Sequence, residues 1–218
     1  LIDHQKRAEW PQDRWKRFSP QELNRSIVGI VGYGSIGREV ARLLRAFGAT
    51  VLASKRDVMH PEDTDYTPEG LGDQRGELVH RLYPDKALKS MFKECDFVVV
   101  TVPLTSETHD LIGADELAAL KPSAFLIDTS RGGIVNQAAL INALREHKIA
   151  GAALDVFPEE PLPADNPLWI LPNVIISPHI SGNTRHYNER AVAMFAENLH
   201  RYLAGLPLYN QIDPERGY

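Results

Sequence analysis

Ile27-Val28-Gly29-Ile30-Val31-Gly32-Tyr33-Gly34-Ser35-Ile36-Gly37 is an apolar run that breaks into three spaced glycines. The run before Gly32 is short and rich in β-branched residues, so it reads as a buried strand. From residue 36 to residue 47 the apolar positions take up a helical period. A lone GxGxxG carries little weight, but strand, glycine turn and helix in this order form the context that a dinucleotide cradle requires. Gly32 permits the tight turn, Gly34 lets a pyrophosphate approach the backbone, and Gly37 lets helix and strand pack closely. The amides near Ser35 and Ile36 then face the diphosphate, helped by the helix dipole. Gly48 stands where a C-cap glycine ends the helix.

Outward from this stretch the pattern repeats. Residues 26–31, 50–53, 97–102, 124–128, 150–155 and 174–176 read as strands that are nearly all apolar, as parallel strands covered on both faces are. Residues 36–47, 114–120, 137–147 and 184–203 read as helices. The alternation predicts an α/β fold, a doubly wound parallel sheet of the Rossmann type with right-handed crossovers. Three regions fall outside the rhythm. Residues 1–21 hold Trp10, Trp15 and Phe18 among charges, and predict a helix followed by an ordered loop. Residues 57–83 are polar and long for a loop in a compact domain, a flexible excursion rather than a binding lid. Residues 207–218 are a polar tail. The expected organisation is an arm over 1–21, a dinucleotide-binding domain over 22–206 and the tail.

Bulk properties exclude several classes. The 218 residues carry a net charge of −5 with no Lys/Arg stripe, which argues against a nucleic-acid partner. No apolar stretch approaches the roughly 20 residues that span a bilayer, and no secretory signal opens the chain. Cys95 is the single cysteine. It reads as a small core residue, and the lack of a disulfide framework suits a cytoplasmic protein. No metal ligand is assigned.

The end of the second strand sets the cofactor preference. NAD enzymes usually place an acid there for the ribose hydroxyls. This chain reads Ala53-Ser54-Lys55-Arg56, a hydroxyl and two cations. Cations pair with a 2′-phosphate that a carboxylate would repel. NADP is therefore favoured, with NAD possible if Lys55 and Arg56 are only solvated charges.

Three further motifs each deliver an ionisable residue just past a strand. Asp128-Thr129-Ser130-Arg131-Gly132-Gly133 brings Arg131, whose paired donors suit a carboxylate and polarise a ketone oxygen. Asp155-Val156-Phe157-Pro158-Glu159-Glu160-Pro161 brings Glu160, and Ser177-Pro178-His179-Ile180 brings His179. The imidazole is suited to exchanging a proton with a carbonyl oxygen, and a carboxylate beside it would orient it and favour its protonated form. The other seven histidines lack comparable context. Spacing alone does not choose between Glu159 and Glu160. Asp155, at its strand end, is placed to hold the nicotinamide side.

Taken together, the four motifs resemble the cofactor-binding domain of the D-isomer-specific 2-hydroxyacid dehydrogenases, over residues of about 10 to 210. That family includes D-lactate, D-glycerate and phosphoglycerate dehydrogenases and the glyoxylate/hydroxypyruvate reductases. The resemblance implies that Arg131 binds the substrate carboxylate and carbonyl, that His179 is the acid/base, and that Glu160 is its partner. It assigns Asp155 to the nicotinamide carboxamide. It also places Val102, Pro103, Thr108, Thr129, Ser130 and Gly182 along the cofactor. Related formate dehydrogenases carry glutamine where Glu160 stands, so a 2-keto or 2-hydroxy acid fits better than formate. The family usually dimerises through this domain, and the Trp10/Trp15 arm is expected to contribute. Family members carry roughly a hundred further residues upstream, forming most of a substrate domain. The expectation is therefore a fragment that binds cofactor and is inactive in isolation, with the arm and tail belonging to the missing domain. The alternative is a non-catalytic, dinucleotide-sensing interaction module of the co-repressor type, which needs no substrate domain.

Overall fold

The computed structural model describes residues 2–63 and 65–214, with Ile2 and Asp3 as backbone only. Leu1 of the expected arm, Thr64 of the excursion and the last four residues of the tail lie outside the described residues.

Seven strands form one sheet in the order β3-β2-β1-β4-β5-β6-β7. They are β1 (Ile27–Val31), β2 (Thr50–Ser54), β3 (Arg81–Tyr83), β4 (Phe97–Val100), β5 (Phe125–Asp128), β6 (Gly151–Leu154) and β7 (Val174–Ile176). Every adjacent pair is parallel. The helices are α1 (Ile2–Lys6), α2 (Arg14–Arg17), α3 (Ser35–Ala46), α4 (Leu88–Phe92), α5 (Ala114–Ala118), α6 (Gln137–Arg145) and α7 (Tyr187–Leu203). Parallel neighbours need crossovers, and the helices supply them while covering the sheet faces. One face packs Val98, Val100 and Leu126 against Met91, Phe92, Leu140 and Leu144. The other packs Ile30, Val51 and Ala53 with Ala41 of α3. Cys95 is fully buried in the first of these cores, where burial pushes its thiol up to about 12.

The strand order reverses between β1 and β4. In such sheets ligands bind beyond the carboxyl ends of the strands at the reversal. Gly48 ends α3 with φ +78°, as a C-cap glycine does.

Two elements go beyond the sequence reading. The last three residues of the 57–83 stretch form β3 at the sheet edge, and Leu88, Met91 and Phe92 bury one side of the short helix α4. The rest of the stretch is pinned to α3. Arg38, 2% exposed, meets Asp63 at 3.1 Å through Nε and donates to the carbonyls of Pro61 and Asp73. Its guanidinium lies 4.6 Å from the Tyr33 ring centroid, and the Tyr33 hydroxyl donates to Asp73. The expected flexible excursion is thus a tethered wall, because a buried cation on α3 needs the anion and carbonyls that the excursion brings.

Candidate active site

The glycine turn shows three different spatial demands. Gly32 sits at φ +97°, and a Cβ there would lie 2.5 Å from a Val102 methyl group. A Cβ on Gly37 would lie 2.3 Å from the Gly32 carbonyl oxygen. A Cβ on Gly34 would meet no atom within 4 Å. Gly32 and Gly37 are therefore demanded by the fold, whereas Gly34 borders open space.

Side chains brace the turn. The Thr101 hydroxyl donates to the Gly32 carbonyl at 2.8 Å, and the Gly32 amide donates to the Ser54 hydroxyl at 3.3 Å. Beyond the turn, α3 begins at Ser35 with no side chain capping it, whereas α6 is capped by Asn136 accepting from the Ala139 amide. Orphan amides at a helix N-terminus attract an anion. Open space at Gly34 together with an uncapped α3 fits a dinucleotide diphosphate. The neighbouring loop is shaped by Thr108, whose hydroxyl donates to the Pro103 carbonyl at 2.7 Å and accepts the Thr105 amide at 2.8 Å.

At the end of β2 the outcome is mixed. Ser54 is fully buried, and its hydroxyl is engaged with the turn. It braces the glycine turn from behind. Lys55 donates to the carbonyls of His60 and Glu62 within the excursion. Partial burial and the nearby Arg38 hold its ammonium below the usual lysine value. Arg56 pairs with Glu107 at 2.9 Å.

The catalytic candidates line up at the carboxyl ends of β5, β6 and β7, which are neighbours in the sheet. Arg131 follows β5, is exposed, and donates to the Ser130 carbonyl at 2.7 Å. Ser130 is buried, with its hydroxyl and amide donating to Asp128. Burial pushes Asp128 up to about 6 despite those two bonds. Thr129 reaches back to the Val100 carbonyl at 3.5 Å. Gly132 presses against the next loop: a Cβ there would fall 1.9 Å from the Phe157 carbonyl oxygen. The Arg131 loop and the Glu160 loop are thus in backbone contact.

Glu160 and His179 meet, with Nδ1 2.7 Å from Oε2. The other Glu160 oxygen accepts the Phe157 amide at 2.9 Å, which fixes the carboxylate. The bond to His179, then that amide, holds the Glu160 carboxyl below its ordinary value. His179 itself adopts φ +53°, a left-handed conformation uncommon outside glycine. Asp155 stabilises it from both sides. Its carboxylate accepts the Ser177 hydroxyl at 2.6 Å and the Ile180 and Ser181 amides at 2.9 Å each. Burial raises the Asp155 carboxyl, but the Ser177 and Ser181 donors outweigh it and bring it down to about 2. Asp155, 3% exposed, thus faces the turn that carries His179. Gly182, beyond the turn, is exposed and open around its Cα. The bonds made by Thr101, Glu107 and Ser177 escaped the sequence reading, because the direction of a hydroxyl or a carboxylate on a loop leaves no periodic trace.

Comparisons with known proteins give the family. Residues 2–181 match the family described as D-isomer specific 2-hydroxyacid dehydrogenase, NAD binding domain. The chain belongs to this family. Among curated members, a D-3-phosphoglycerate dehydrogenase of Methanocaldococcus jannaschii is 37% identical over 92% of this chain and 35% of its own length. A glyoxylate reductase of Korarchaeum cryptofilum is 41% identical over 82% of this chain and 49% of its own length. The chain therefore spans half or less of these two relatives. Among solved structures, a family member from Xanthobacter autotrophicus Py2 in complex with NADPH and MES shares a TM-score of 0.79 and 35% identity. It matches all of this chain and 81% of that one. The chain is accordingly an NAD(P)-binding domain of the family's kind.

Proposed function

We propose that this chain is the cofactor-binding portion of a cytoplasmic reductase that converts 2-keto acids to D-2-hydroxy acids with NADPH in preference to NADH. The observation that carries the reading is the 2.7 Å pair of Glu160 and His179, which lie beyond β6 and β7, the two strands that follow in the sheet after β5, the strand before Arg131. The names of the relatives point to glyoxylate, hydroxypyruvate or a phosphoglycerate-like compound as substrate. The Lys55-Arg56 pair and the NADPH bound to the Xanthobacter relative support the cofactor choice.

The dinucleotide would lie on Gly32, Gly34 and Gly37 with its diphosphate at Ser35 and Ile36. Val102, Pro103, Thr108, Thr129 and Gly182 would line it. When bound, its nicotinamide supplies or accepts the hydride. Arg131 holds the substrate carboxylate and draws electron density onto the carbonyl oxygen. Glu160 occupies Nδ1 of His179, which leaves Nε2 to deliver a proton to that oxygen and to retrieve it in the reverse direction. Asp155, through the 177–181 turn, keeps the imidazole aimed. The protein acts as a homodimer through this domain, with the arm as part of the interface. Trp10 and Trp15 stand exposed there, with Arg14 6.0 and 5.4 Å from their rings, and such residues are enriched at hot spots.

The test is His179→Ala in the protein that contains this chain. Turnover of a 2-keto acid falls by roughly 10²–10⁴ while NADPH binding is kept. Loss of NADPH binding in step with turnover would make His179 structural and defeat the assignment.

A further inference from the structure

Asp128 ends β5 at 3% exposure, and no cation pairs with it among the described residues. A carboxylate buried without a counter-ion is costly unless donors hold it. Its donors are two, and both belong to Ser130: the backbone amide at 3.0 Å and the hydroxyl, which end on the same oxygen. Asp128 also lines a cavity of about 10 Å³ together with Gln137 of α6, whose own Oε1 is buried and finds no donor among the described residues. Burial raises the carboxyl, and the two Ser130 bonds oppose that rise only in part. The one thing this costly group visibly does is hold Ser130.

Ser130 is the residue that precedes Arg131. An aspartate that accepts from the amide two places on closes an Asx turn. Ser130 is thus fixed at both its amide and its side chain. Its carbonyl accepts Nη1 of Arg131 at 2.7 Å. Arg131 is exposed, so packing does not hold its guanidinium, and this carbonyl is its acceptor among the described residues. On the far side Gly132 lies against the Phe157 carbonyl, with no room for a Cβ. The arginine therefore leaves a backbone that is fixed before it and after it.

We infer that Asp128 is a positioning residue for Arg131: through Ser130 it sets the direction in which the guanidinium meets a substrate carboxylate. Asp128 is buried, so it acts on substrate only through the arginine. An exposed arginine loses rotamer freedom when it clamps a carboxylate, and a guanidinium held beforehand loses less. A neutral acceptor at the same place suffices, because both Ser130 groups are donors. The inference deepens the reading of Arg131 as the carboxylate clamp and rests on it for the kinetic effect; the order of the Arg131 side chain does not depend on that reading.

Two measurements test it. The first is ¹⁵N relaxation of the Arg131 Nε–H group in this chain, its signal assigned by its loss in Arg131→Lys. The parent shows a restrained side chain, and Asp128→Asn, which keeps the acceptor, leaves it restrained. Asp128→Leu keeps the volume but removes the acceptor, and brings the order parameter below about 0.6. Ser130→Ala removes only the hydroxyl donor and leaves the strand end untouched. It gives a smaller fall, and it decides alone if Asp128→Leu does not fold. An Arg131 as mobile in the parent as in these variants, or as restrained in them as in the parent, overturns the inference. The second measurement is steady-state turnover of glyoxylate by the protein that contains this chain. Asp128→Leu raises KM roughly tenfold, as for a lost bond to a charged group, while NADPH affinity is kept and Asp128→Asn retains the parent KM. Equal weakening of NADPH and glyoxylate would make Asp128 a residue of the fold alone and overturn the inference as well. No turnover in the parent would defeat the 2-keto acid reading instead, and the order of Arg131 would still judge the role of Asp128.

Discussion

Asp128, Asp155 and Glu160 carry the same functional group into three environments, and each is held differently. Asp128 is buried and rises to about 6. An acid whose folded value is raised takes up its proton more readily when folded, so its charge costs stability as pH climbs through that value. Asp128→Asn keeps the acceptor for Ser130 and removes the charge. Its melting temperature should exceed the parent's at pH 8, and the gap should close as pH falls through about 6. A gap independent of pH would show that Asp128 never carries a buried charge. Asp155 has the opposite sign. Its carboxyl drops from 3.8 to about 2, so its contribution is present above pH 4 and is lost between pH 4 and 2. Hydrogen exchange of the Ile180 and Ser181 amides should quicken across that window and stay slow above it. At this scale the sequence located Arg131 and His179 by their place after strands. It could not separate Glu159 from Glu160 by spacing; the Phe157 amide and the His179 ring select Glu160. The bond from the Gly32 amide to Ser54 was not legible, because a strand-end hydroxyl looks the same whether it faces a ligand or the turn behind it.

Elements were readable where burial on both faces leaves an unbroken apolar run, as in β1, β2, β4, β5 and β6, and β7 was readable from its apolar run alone, since Ile175 at this edge is exposed. β3 escaped because an edge strand of three residues, Arg81 to Tyr83, buries only its last side chain. α4 spans barely more than one turn, too short for a period to register. The glycine turn yields a paired prediction. Gly37→Ala drives a methyl group into the Gly32 carbonyl, an overpacking worth about 1–3 kcal/mol, or roughly 2–12 °C of melting temperature. Gly34→Ala meets no protein atom, so the melting temperature should hold while dinucleotide affinity falls tenfold or more, roughly the 1.4 kcal/mol of one lost contact. Equal effects in the two variants would contradict the reading of Gly34 as the face turned to the diphosphate. The excursion offers a second test. Arg38→Met removes the cation that Asp63 and two carbonyls surround. Limited proteolysis should then cut within residues 57–80 much faster than in the parent, and unchanged cleavage would show that the wall stands without its tether.

On the scale of the molecule, the doubly wound parallel sheet followed from the βαβ rhythm, because parallel strands joined by right-handed crossovers admit few arrangements; the strand order, with β3 at one edge, comes from the structure. What the rhythm could not convey is how the C-terminal helix sits. α7 buries none of its described side chains, and Val192, Phe195, Tyr202 and Leu203 are mostly exposed. Fold alone does not establish chemistry, since one fold hosts many activities. The proposed chemistry comes instead from Arg131, Glu160 and His179, which lie beyond the neighbouring strands β5, β6 and β7. The measurement that bears on it most directly is NADPH oxidation by the protein that contains this chain, with glyoxylate, hydroxypyruvate and a wider set of 2-keto acids. Turnover with at least one of them, lost in Arg131→Ala and His179→Ala while NADPH still binds, is the predicted result. Tight NADPH binding with no turnover across the whole set would contradict it.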